Sequence, residues 1–209
     1  MRGEEHPAGL VLGVQGTPDV DLQPVVGQPL GDASAPFDQG DRVGQGRLQV
    51  EVFEFVDGET FSVYFMTRYR PQTVLRLRHK ATRREFYVIN MHTSAGHGGR
   101  YASTRNAAFG TAVSVVNRLK AERIPIFLTG DMNDRANFYC RVIPPTGMVA
   151  AQGGGGTCGT PPRMRPVDWI AGHGRVAFSG YVDDFSSESR RVSDHPFVSA
   201  TATMRGSGD

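Results

Sequence analysis

The stretch that most constrains the fold is residues 124–134, where an apolar run is followed directly by polar residues. Residues 124–128 are almost entirely apolar, which predicts a short strand buried on both faces. Asp131 and Asn133 follow at a spacing of two, so an extended backbone would present both side chains on the same side. A carboxylate and an amide in this position suit a hard cation or a phosphoryl oxygen, although Gly-Asp and Asn-Asp pairs are also ordinary turn residues. The surrounding sequence decides between these two interpretations.

A helix and another strand are predicted just before this stretch. Residues 85–92 alternate as the second strand of a hairpin with residues 73–79. Between residues 104 and 122, with Ser103 or Thr104 as the N-cap, apolar residues recur at helical spacing: Phe109, Ala112, Val113, Val116 and Leu119. Strand 86–92, helix 104–122 and strand 124–128 therefore form a β-α-β unit, which predicts parallel strands in one sheet.

More strands are predicted on both sides of this unit. Residues 48–52 and 61–66 form a hairpin around the turn pair Asp57-Gly58, and residues 10–14 form a short strand. Towards the C-terminus, residues 166–171, 176–182 and 197–204 are strands, while residues 135–165 are expected to be loop. Residues 1–47 are otherwise expected to be irregular. The predicted organisation is one domain at 48–204, preceded by the irregular segment 1–47 and followed by a tail at 205–209.

The composition limits the classes of function. The chain of 209 residues is long enough for one core, and its net charge of +2 makes no global case for nucleic-acid binding. No apolar run approaches the ~18 residues of a membrane span. The N-terminus carries acidic residues where an export signal has basic ones, so we expect no signal peptide. No feature predicts a protein partner.

Cys140 and Cys158 are the two cysteines. Two cysteines cannot hold zinc without further ligands, and no His lies near them at zinc-finger spacing. A disulfide between them would imply an oxidising compartment, whereas two free thiols are the alternative. The cysteine pair points to an extracellular location, whereas the absence of an export signal points the other way, so localisation is left open.

Polar side chains lie at the ends of four predicted strands. They are Asn90 and His92, Asp131 and Asn133, Asp168, and Asp194 with His195. A lone His or Asp at a strand end is usually solvated or structural. Together they provide the inventory for metal-assisted hydrolysis of a phosphate ester, in which a divalent ion offsets phosphoryl charge, a His–Asp pair acts as general base and amides orient water.

Four segments carry a resemblance to a known family: residues 86–92, 129–133, 167–170 and 193–196. In order and spacing they resemble the motifs of the endonuclease/exonuclease/phosphatase superfamily, the deoxyribonuclease-like metal-dependent phosphoesterases. The resemblance covers about residues 48–204. It implies an α/β fold with mixed β-sheets in a four-layer α/β/β/α sandwich, incomplete at its N-terminus. It also implies one Mg²⁺ or Mn²⁺ ion and a phosphate-ester substrate, either nucleic acid or a small phosphodiester.

The resemblance also implies a role for each polar residue. His195 would be the general base, and Asp168 would hold its imidazole in the useful tautomer. Asp131 and Asn133 would position the water and the phosphate, and Asp194 would bind the metal. The remaining two are His92, which would stabilise charge on the phosphoryl oxygens, and Asn90, which would support the site by hydrogen bonding.

The N-terminal motifs of the family are missing from the sequence. Family members carry an Asn on a first strand and a metal-binding Glu at the end of a second, where Gly16 stands here. The candidate replacements, Glu51, Glu54 and Glu59, lie in a pattern typical of the polar side of a strand. Two interpretations follow: a metal-dependent phosphodiesterase, nuclease or phosphatase, or a truncated, non-catalytic member of the same family that acts as a binding module or is an inactive fragment.

Overall fold

The computed structural model describes residues 52–162, 166–186 and 194–204, together with the backbone of residues 9–14 and 25–27. The strands and helices of these residues are β1 (Gly9–Val14), β2 (Val25–Gly27), β3 (Phe53–Phe65), β4 (Arg68–His79), β5 (Glu85–Asn90), α1 (Gly99–Leu119), β6 (Ile126–Asp131), α2 (Ala136–Thr146), β7 (Val149–Ala150), β8 (Asp168–His173), β9 (Val176–Asp184) and β10 (Phe197–Met204). A 3-10 turn, Lys120–Glu122, extends α1.

Six of these strands form a mixed sheet in the order β3-β4-β5-β6-β8-β7. Strands β5 and β6 are parallel and joined through α1, which confirms the predicted β-α-β unit. The other neighbouring pairs are antiparallel, including β4 with β5, the predicted second hairpin.

The other four strands form an antiparallel sheet in the order β2-β1-β10-β9. The strands predicted at 10–14, 176–182 and 197–204 are confirmed as β1, β9 and β10. Strand β2 lies inside the segment that was expected to be irregular.

The six-stranded sheet packs on both of its faces, which explains why its central strands are apolar throughout. On β6, Ile126 and Leu128 face the helices α1 and α2, while Phe127 faces the four-stranded sheet. The predicted mixed-sheet α/β sandwich is therefore confirmed. Among the described residues it comprises three of the four expected layers: helices, six-stranded sheet and four-stranded sheet.

The predicted hairpin around Asp57-Gly58 is wrong. Residues 53–65 form one long strand that pairs with β4, and its register shifts between Phe55 and Asp57. A bulge thus occupies the place of the turn, with the Gly58 amide donating to Asp57 Oδ1 at 2.7 Å. The real turn is at Met66, which has a φ of 52°. Residues 68–71, which lie between the two predicted hairpins, consequently belong to β4.

The helix α1 begins earlier than predicted. Gly98 is its N-cap residue, without a side-chain cap. Thr104, predicted as a cap, lies inside the helix and donates from Oγ1 to Tyr101 O at 2.9 Å. A Thr hydroxyl can bond the backbone of the preceding turn, so its presence did not mark a helix start.

The loop predicted at 135–165 contains the helix α2, so that prediction is wrong over residues 136–146. Its buried side chains are Phe138, Tyr139, Val142, Ile143 and Thr146. Pro144 and Pro145 lie in its last turn and lack the amide hydrogens of a continuing helix, which made the segment resemble loop. Cys140 on α2 forms a disulfide with Cys158, with Cα atoms 4.5 Å apart, and this ties the following loop to the helix.

Several predictions fall outside the described residues: most of the irregular segment 1–47, including Gly16 at the position of the family Glu, most of the strand at 48–52, and the tail at 205–209. Within the described part of the chain, no helix combines the length and apolarity of a membrane span.

Candidate active site

The polar strand ends meet at one edge of the six-stranded sheet. In register, Asn90 on β5 lies opposite Thr129 on β6, and Asp131 lies opposite Asp168 on β8. Because β8 is antiparallel to β6, its first residue meets the last residue of β6. Because side chains alternate between the two faces of a strand, Asp131 lies on the same face as Phe127, and Asp168 on the same face as Ile170. Both carboxylates are therefore on the side that faces the four-stranded sheet.

The clearest interaction at this edge joins His195 to Asp168. His195 Nδ1 lies 2.9 Å from Asp168 Oδ2. Asp168 is fully buried, whereas the His195 side chain keeps 21% exposure. The imidazole is therefore held by a buried carboxylate through one nitrogen while the ring itself reaches solvent.

Both members of this pair have shifted pKa values. The hydrogen bond that Asp168 accepts from His195 raises the pKa of His195 to about 9, against the opposing effect of burial, and the charges of Asp168, Asp131 and Asp194 add to the rise. Burial raises the pKa of Asp168 despite its hydrogen bond with His195. Shifted groups of this kind cluster at functional sites more often than elsewhere on a protein.

Asp131 connects the remaining predicted residues. Its Oδ2 lies 3.2 Å from His92 Nε2 and 3.7 Å from His195 Nε2. Asn133 donates its backbone amide to Oδ1 at 2.7 Å and its Nδ2 to Oδ2 at 3.1 Å. The structure thus brings His92, Asp131, Asn133, Asp168 and His195 into one cluster.

Local backbone features explain why the chain turns here. Gly130 has a φ of 132°, and a side chain at this position would collide with Met91 O. Glycine therefore permits β6 to approach the segment after β5. Asn133, with a φ of 47°, also donates Nδ2 to Thr93 O at 2.9 Å, and Thr93 donates Oγ1 to Met132 O at 2.5 Å. These bonds fix the two loops against each other.

Gln72 is a supporting residue that sequence reasoning missed. It is buried, and its Oε1 accepts the His92 backbone amide at 2.6 Å. Its Nε2 donates to Pro71 O at 3.0 Å. Gln72 lies just before the strand predicted at 73–79, so the sequence pattern gave no signal of its role.

Arg105 is a second residue that was missed. It is buried on α1 and donates Nη1 to Ser94 O at 3.1 Å and to Gly96 O at 3.0 Å. Its Nε lies 3.2 Å from Asp134 Oδ2. It therefore joins the loop after His92 to the loop after Asp131. The helical periodicity places Arg105 off the apolar stripe, so the sequence pattern gives no sign that it is buried.

Asn90 and Asp194 lie at the margin of the cluster. Thr129 Oγ1 donates to Asn90 Oδ1 at 3.4 Å, so Asn90 contacts a side chain on the neighbouring strand β6. Asp194 is exposed, and its charge contributes to the raised pKa of His195.

One group among the described residues could hold a metal ion: Asp131, Asp168 and His195, whose ligand atoms lie within 4.8 Å of one another. Asp168 Oδ1 is buried and accepts no hydrogen bond from the described residues, so a carboxylate oxygen is left for a cation. Two carboxylates fit the way proteins bind Mg²⁺, with water completing the shell. The predicted ligand Asp194 is outside this group.

The candidate replacements for the missing Glu do not reach this group. Glu54 pairs with Arg78 and Arg83, and Glu59 pairs with Arg118. Glu51 lies outside the described residues.

Solved structures with the same arrangement of sheets and helices support the resemblance. Truncated TDP2 of Caenorhabditis elegans matches with a TM-score of 0.54 and 20% identity over 73% of this chain and 68% of that one. The human nocturnin catalytic domain with bound sulfate matches with a TM-score of 0.59 and 18% identity over 74% of this chain and 61% of that one. An endonuclease/exonuclease/phosphatase family protein of Bacteroides thetaiotaomicron matches with a TM-score of 0.54 and 14% identity, over 74% and 67%. This chain has the endonuclease/exonuclease/phosphatase fold.

A mannosyl-6-phosphatase of Bacteroides thetaiotaomicron shares this endonuclease/exonuclease/phosphatase fold, with a TM-score of 0.54 and 14% identity over 73% of this chain and 68% of that one. No family model matches the sequence, and no curated protein matches it. The chain spans between about three fifths and two thirds of the length of these solved structures.

Proposed function

We propose that this protein hydrolyses phosphate esters with His195 as the general base. The observation that carries the proposal is the pairing of a part-exposed imidazole with the buried Asp168 beside a second carboxylate, Asp131. One solved structure of the same fold is a mannosyl-6-phosphatase, and this supports hydrolysis of a phosphate ester as the class of reaction.

The His195–Asp168 geometry defines the base. When Nδ1–H donates to Asp168 Oδ2, the other nitrogen, Nε2, is left with its lone pair and can take a proton from water. The buried carboxylate then stabilises the imidazolium that forms. This is the division of labour known from other His–Asp pairs, in which the carboxylate fixes the tautomer and orientation of the ring.

Asp131 and His92 define where the substrate would lie. Asp131 Oδ2 faces both His92 Nε2 and His195 Nε2, so a water between Asp131 and His195 would be oriented towards a phosphorus atom at this edge. Asn133 keeps Asp131 in place through two hydrogen bonds. His92, on the other side of Asp131, would donate Nε2–H to a phosphoryl oxygen and stabilise its negative charge.

A divalent ion fits the same edge, and we infer Mg²⁺ or Mn²⁺. Asp131 and Asp168 would hold it, with Asp194 close by, because His195 Nε2 is needed for the water proton. When bound, such an ion would polarise the phosphoryl oxygens and offset their charge. The substrate would be a phosphodiester or phosphomonoester.

A second candidate function is a non-catalytic binding module. It is favoured by the engagement of every described glutamate in an ion pair with arginine: Glu54, Glu59, Glu85 and Glu122. None of these supplies the carboxylate that the family places on its metal.

Hydrolysis of bis(p-nitrophenyl) phosphate and of plasmid DNA, with and without Mg²⁺ or Mn²⁺, separates the two candidates. The proposal predicts turnover that depends on the metal and is lost in Asp131→Ala. If wild-type protein binds Mn²⁺ but turns over neither substrate above the variant, the binding-module function stands instead.

A further inference from the structure

Three buried side-chain oxygens have no hydrogen-bond partner among the described residues. They are Asp168 Oδ1, Gln152 Oε1 and the Tyr181 hydroxyl. A buried polar atom without a partner costs stability, and almost all such atoms in folded proteins are bonded to protein or to ordered water. One of the three belongs to the carboxylate that holds His195. The positions of the other two therefore bear on the candidate active site.

Gln152 is bonded to the backbone of Asp168. Its Nε2 donates to Asp168 O at 3.0 Å, so the amide oxygen Oε1 is the atom left without a partner. The preceding residue, Ala151, donates its backbone amide to Ile170 O at 2.8 Å. These two bonds hold Gln152 beside the first residues of β8.

Tyr181 faces the six-stranded sheet from the four-stranded sheet. Between Ser179 and Val182, strand β9 has one residue more than its partner β10, which is a β-bulge. Because side chains alternate along a strand, the extra residue puts Tyr181 on the same inward face as Phe178, three residues before it. The Tyr181 ring packs against the apolar cluster that contains Ile170 of β8. The bulge thus directs the hydroxyl into the protein.

The Tyr181 hydroxyl lies within reach of both Gln152 and Asp168. Burial raises the pKa of Tyr181 to about 12, and the charge of Asp183 adds to the rise. The Gln152 side chain lowers this pKa and the charge of Asp168 raises it, so both groups act on the hydroxyl. The contact with Gln152 does not have the geometry of a direct hydrogen bond, however. The three oxygens therefore belong to one buried polar region.

The donors and acceptors of this region do not balance by themselves. Tyr181 brings one O–H donor, whereas Asp168 Oδ1 and Gln152 Oε1 only accept. A water molecule brings two donors and can also accept. One water that accepts from Tyr181 and donates to Asp168 Oδ1 and Gln152 Oε1 satisfies all three atoms. It makes three hydrogen bonds, which is about the usual number for a buried water.

We propose that Tyr181 is a positioning residue for the His195–Asp168 pair and acts through one buried water on Asp168 Oδ1. Because Oδ2 holds the imidazole, a second bond at Oδ1 prevents rotation of the carboxylate and keeps His195 Nε2 directed at the reacting water. An ionised carboxylate oxygen accepts more than one bond, so this water leaves room for a cation on Asp168. The inference rests on the proposed function, since it concerns the base of that reaction.

Thermal unfolding of Tyr181→Phe tests the bridge by the sign of the change, because the variant removes only the hydroxyl and keeps the ring. If the hydroxyl donates to the bridging water, its loss is expected to lower Tm by about 2–4 °C. If the hydroxyl is buried without a partner, its loss raises Tm. Tyr69→Phe is the matched control, since the Tyr69 side chain is 71% exposed, and its Tm is expected to equal that of wild type.

The imidazole proton of His195 reports on positioning, which a merely structural role of Tyr181 would not change. The proton NMR resonance of His195 Nδ1–H, identified by its absence in His195→Gln, is expected to shift in Tyr181→Phe and not in Tyr69→Phe. With bis(p-nitrophenyl) phosphate, kcat of Tyr181→Phe is expected to fall about tenfold at unchanged KM, as on loss of an outer hydrogen-bonding partner. Gln152→Met keeps the side-chain length, and adding Tyr181→Phe to it is expected to have little further effect.

The inference is overturned if Tyr181→Phe raises Tm, or if it leaves the His195 resonance where it is in wild type. Either result together with turnover by wild-type protein removes the water bridge and leaves the proposed function. A lowered Tm and a shifted resonance in a protein without turnover support the bridge and remove the proposed function.

Discussion

Two charged networks lie on the same six-stranded sheet, and their contrast separates structure from function. One is the arginine–glutamate surface of β4 and β5, formed by Glu54, Arg76, Arg78, Glu85 and Glu122. The other is the active-site cluster at the strand ends, formed by His92, Asp131, Asn133, Asp168 and His195. Both are dense in charge, but only the second contains buried carboxylates, those of Asp131 and Asp168.

In the arginine–glutamate surface, the ion pairs stabilise the charged forms of Glu54, Glu85, Arg76 and Arg78. Hydrogen bonds donated by Arg78 and Arg76 lower the pKa of Glu85, and donating to Glu85 raises the pKa of Arg76 and of Arg78. The network is thus satisfied, and it requires no further ligand.

The active-site cluster is not satisfied in this way. Burial raises the pKa of Asp168 and leaves its Oδ1 without a hydrogen bond among the described residues, while His195 is driven towards its charged form. Asp131 faces two imidazoles. An arrangement that leaves buried groups unsatisfied costs stability, so it persists where a ligand or a reaction uses it.

The largest expected effect comes from Asp168→Asn in the active-site cluster. The amide can no longer hold the imidazole in the useful tautomer, so kcat is expected to fall by about 10²–10⁴. The pH profile changes as well. The base must be neutral, so wild-type kcat/KM rises with pH up to the His195 pKa of about 9. Without the hydrogen bond and the charge of Asp168 this limb moves down, because burial lowers the pKa of His195 and only the charges of Asp131 and Asp194 still raise it. Rates measured across pH 5–10 for both proteins check this, and an unmoved limb would contradict it.

Asp131→Ala is expected to lower kcat by about 10²–10³, because the oriented water and the partner of His92 are both lost. The variant should remain folded, since Asp131 is the last residue of β6 and lies at the end of the strand. Steady-state rates and circular dichroism on the same samples test this. A variant that keeps a tenth of wild-type activity would place the reacting water elsewhere.

Glu85→Gln, in the arginine–glutamate surface, is expected to lower Tm by about 2–4 °C while leaving kcat within about twofold of wild type. The folded-state pKa of Glu85 is below its unfolded value, so its stabilisation is present above pH 4.5 and is lost as the pH falls further. The difference in Tm between the two proteins should therefore shrink in acid. Thermal melts at several pH values measure it, and a large loss of activity at neutral pH would mean that the two networks are coupled.

Arg83→Ala should have the smallest effect. Arg83 is exposed and its single pair, with Glu54, also involves Arg78. Exposed pairs contribute little, so Tm should change by no more than about 1 °C. A larger change in melting experiments would show that the arginine–glutamate surface acts as one cooperative unit.

The active-site cluster was easier to predict from sequence than the chain that surrounds it. Strand ends with Asn, Asp and His next to apolar runs are local signals, and parallel strands bring their ends to one edge. The prediction of loop over α2 failed because Pro144 and Pro145 suggested loop, whereas burial of Phe138 and Val142 stabilises a helix. The prediction of a turn at Asp57-Gly58 failed because a β-bulge uses the same residue types as a turn.

Gln72 and Arg105 could not be found from local pattern. Each is a polar residue that bonds backbone groups far away in sequence, His92 for Gln72 and Ser94 for Arg105. Only the fold shows which polar residues are buried. Arg76 lies on the same strand as Gln72, yet it forms a part-exposed ion pair with Glu85.

The most direct test of the central claim is the turnover of bis(p-nitrophenyl) phosphate in Mg²⁺ by wild-type protein and His195→Ala. If His195 is the base held by Asp168, wild-type protein hydrolyses the diester and the variant falls to the background rate, by about 10²–10⁴. The absence of magnesium-dependent turnover in wild-type protein, or equal turnover in the variant, would contradict the account.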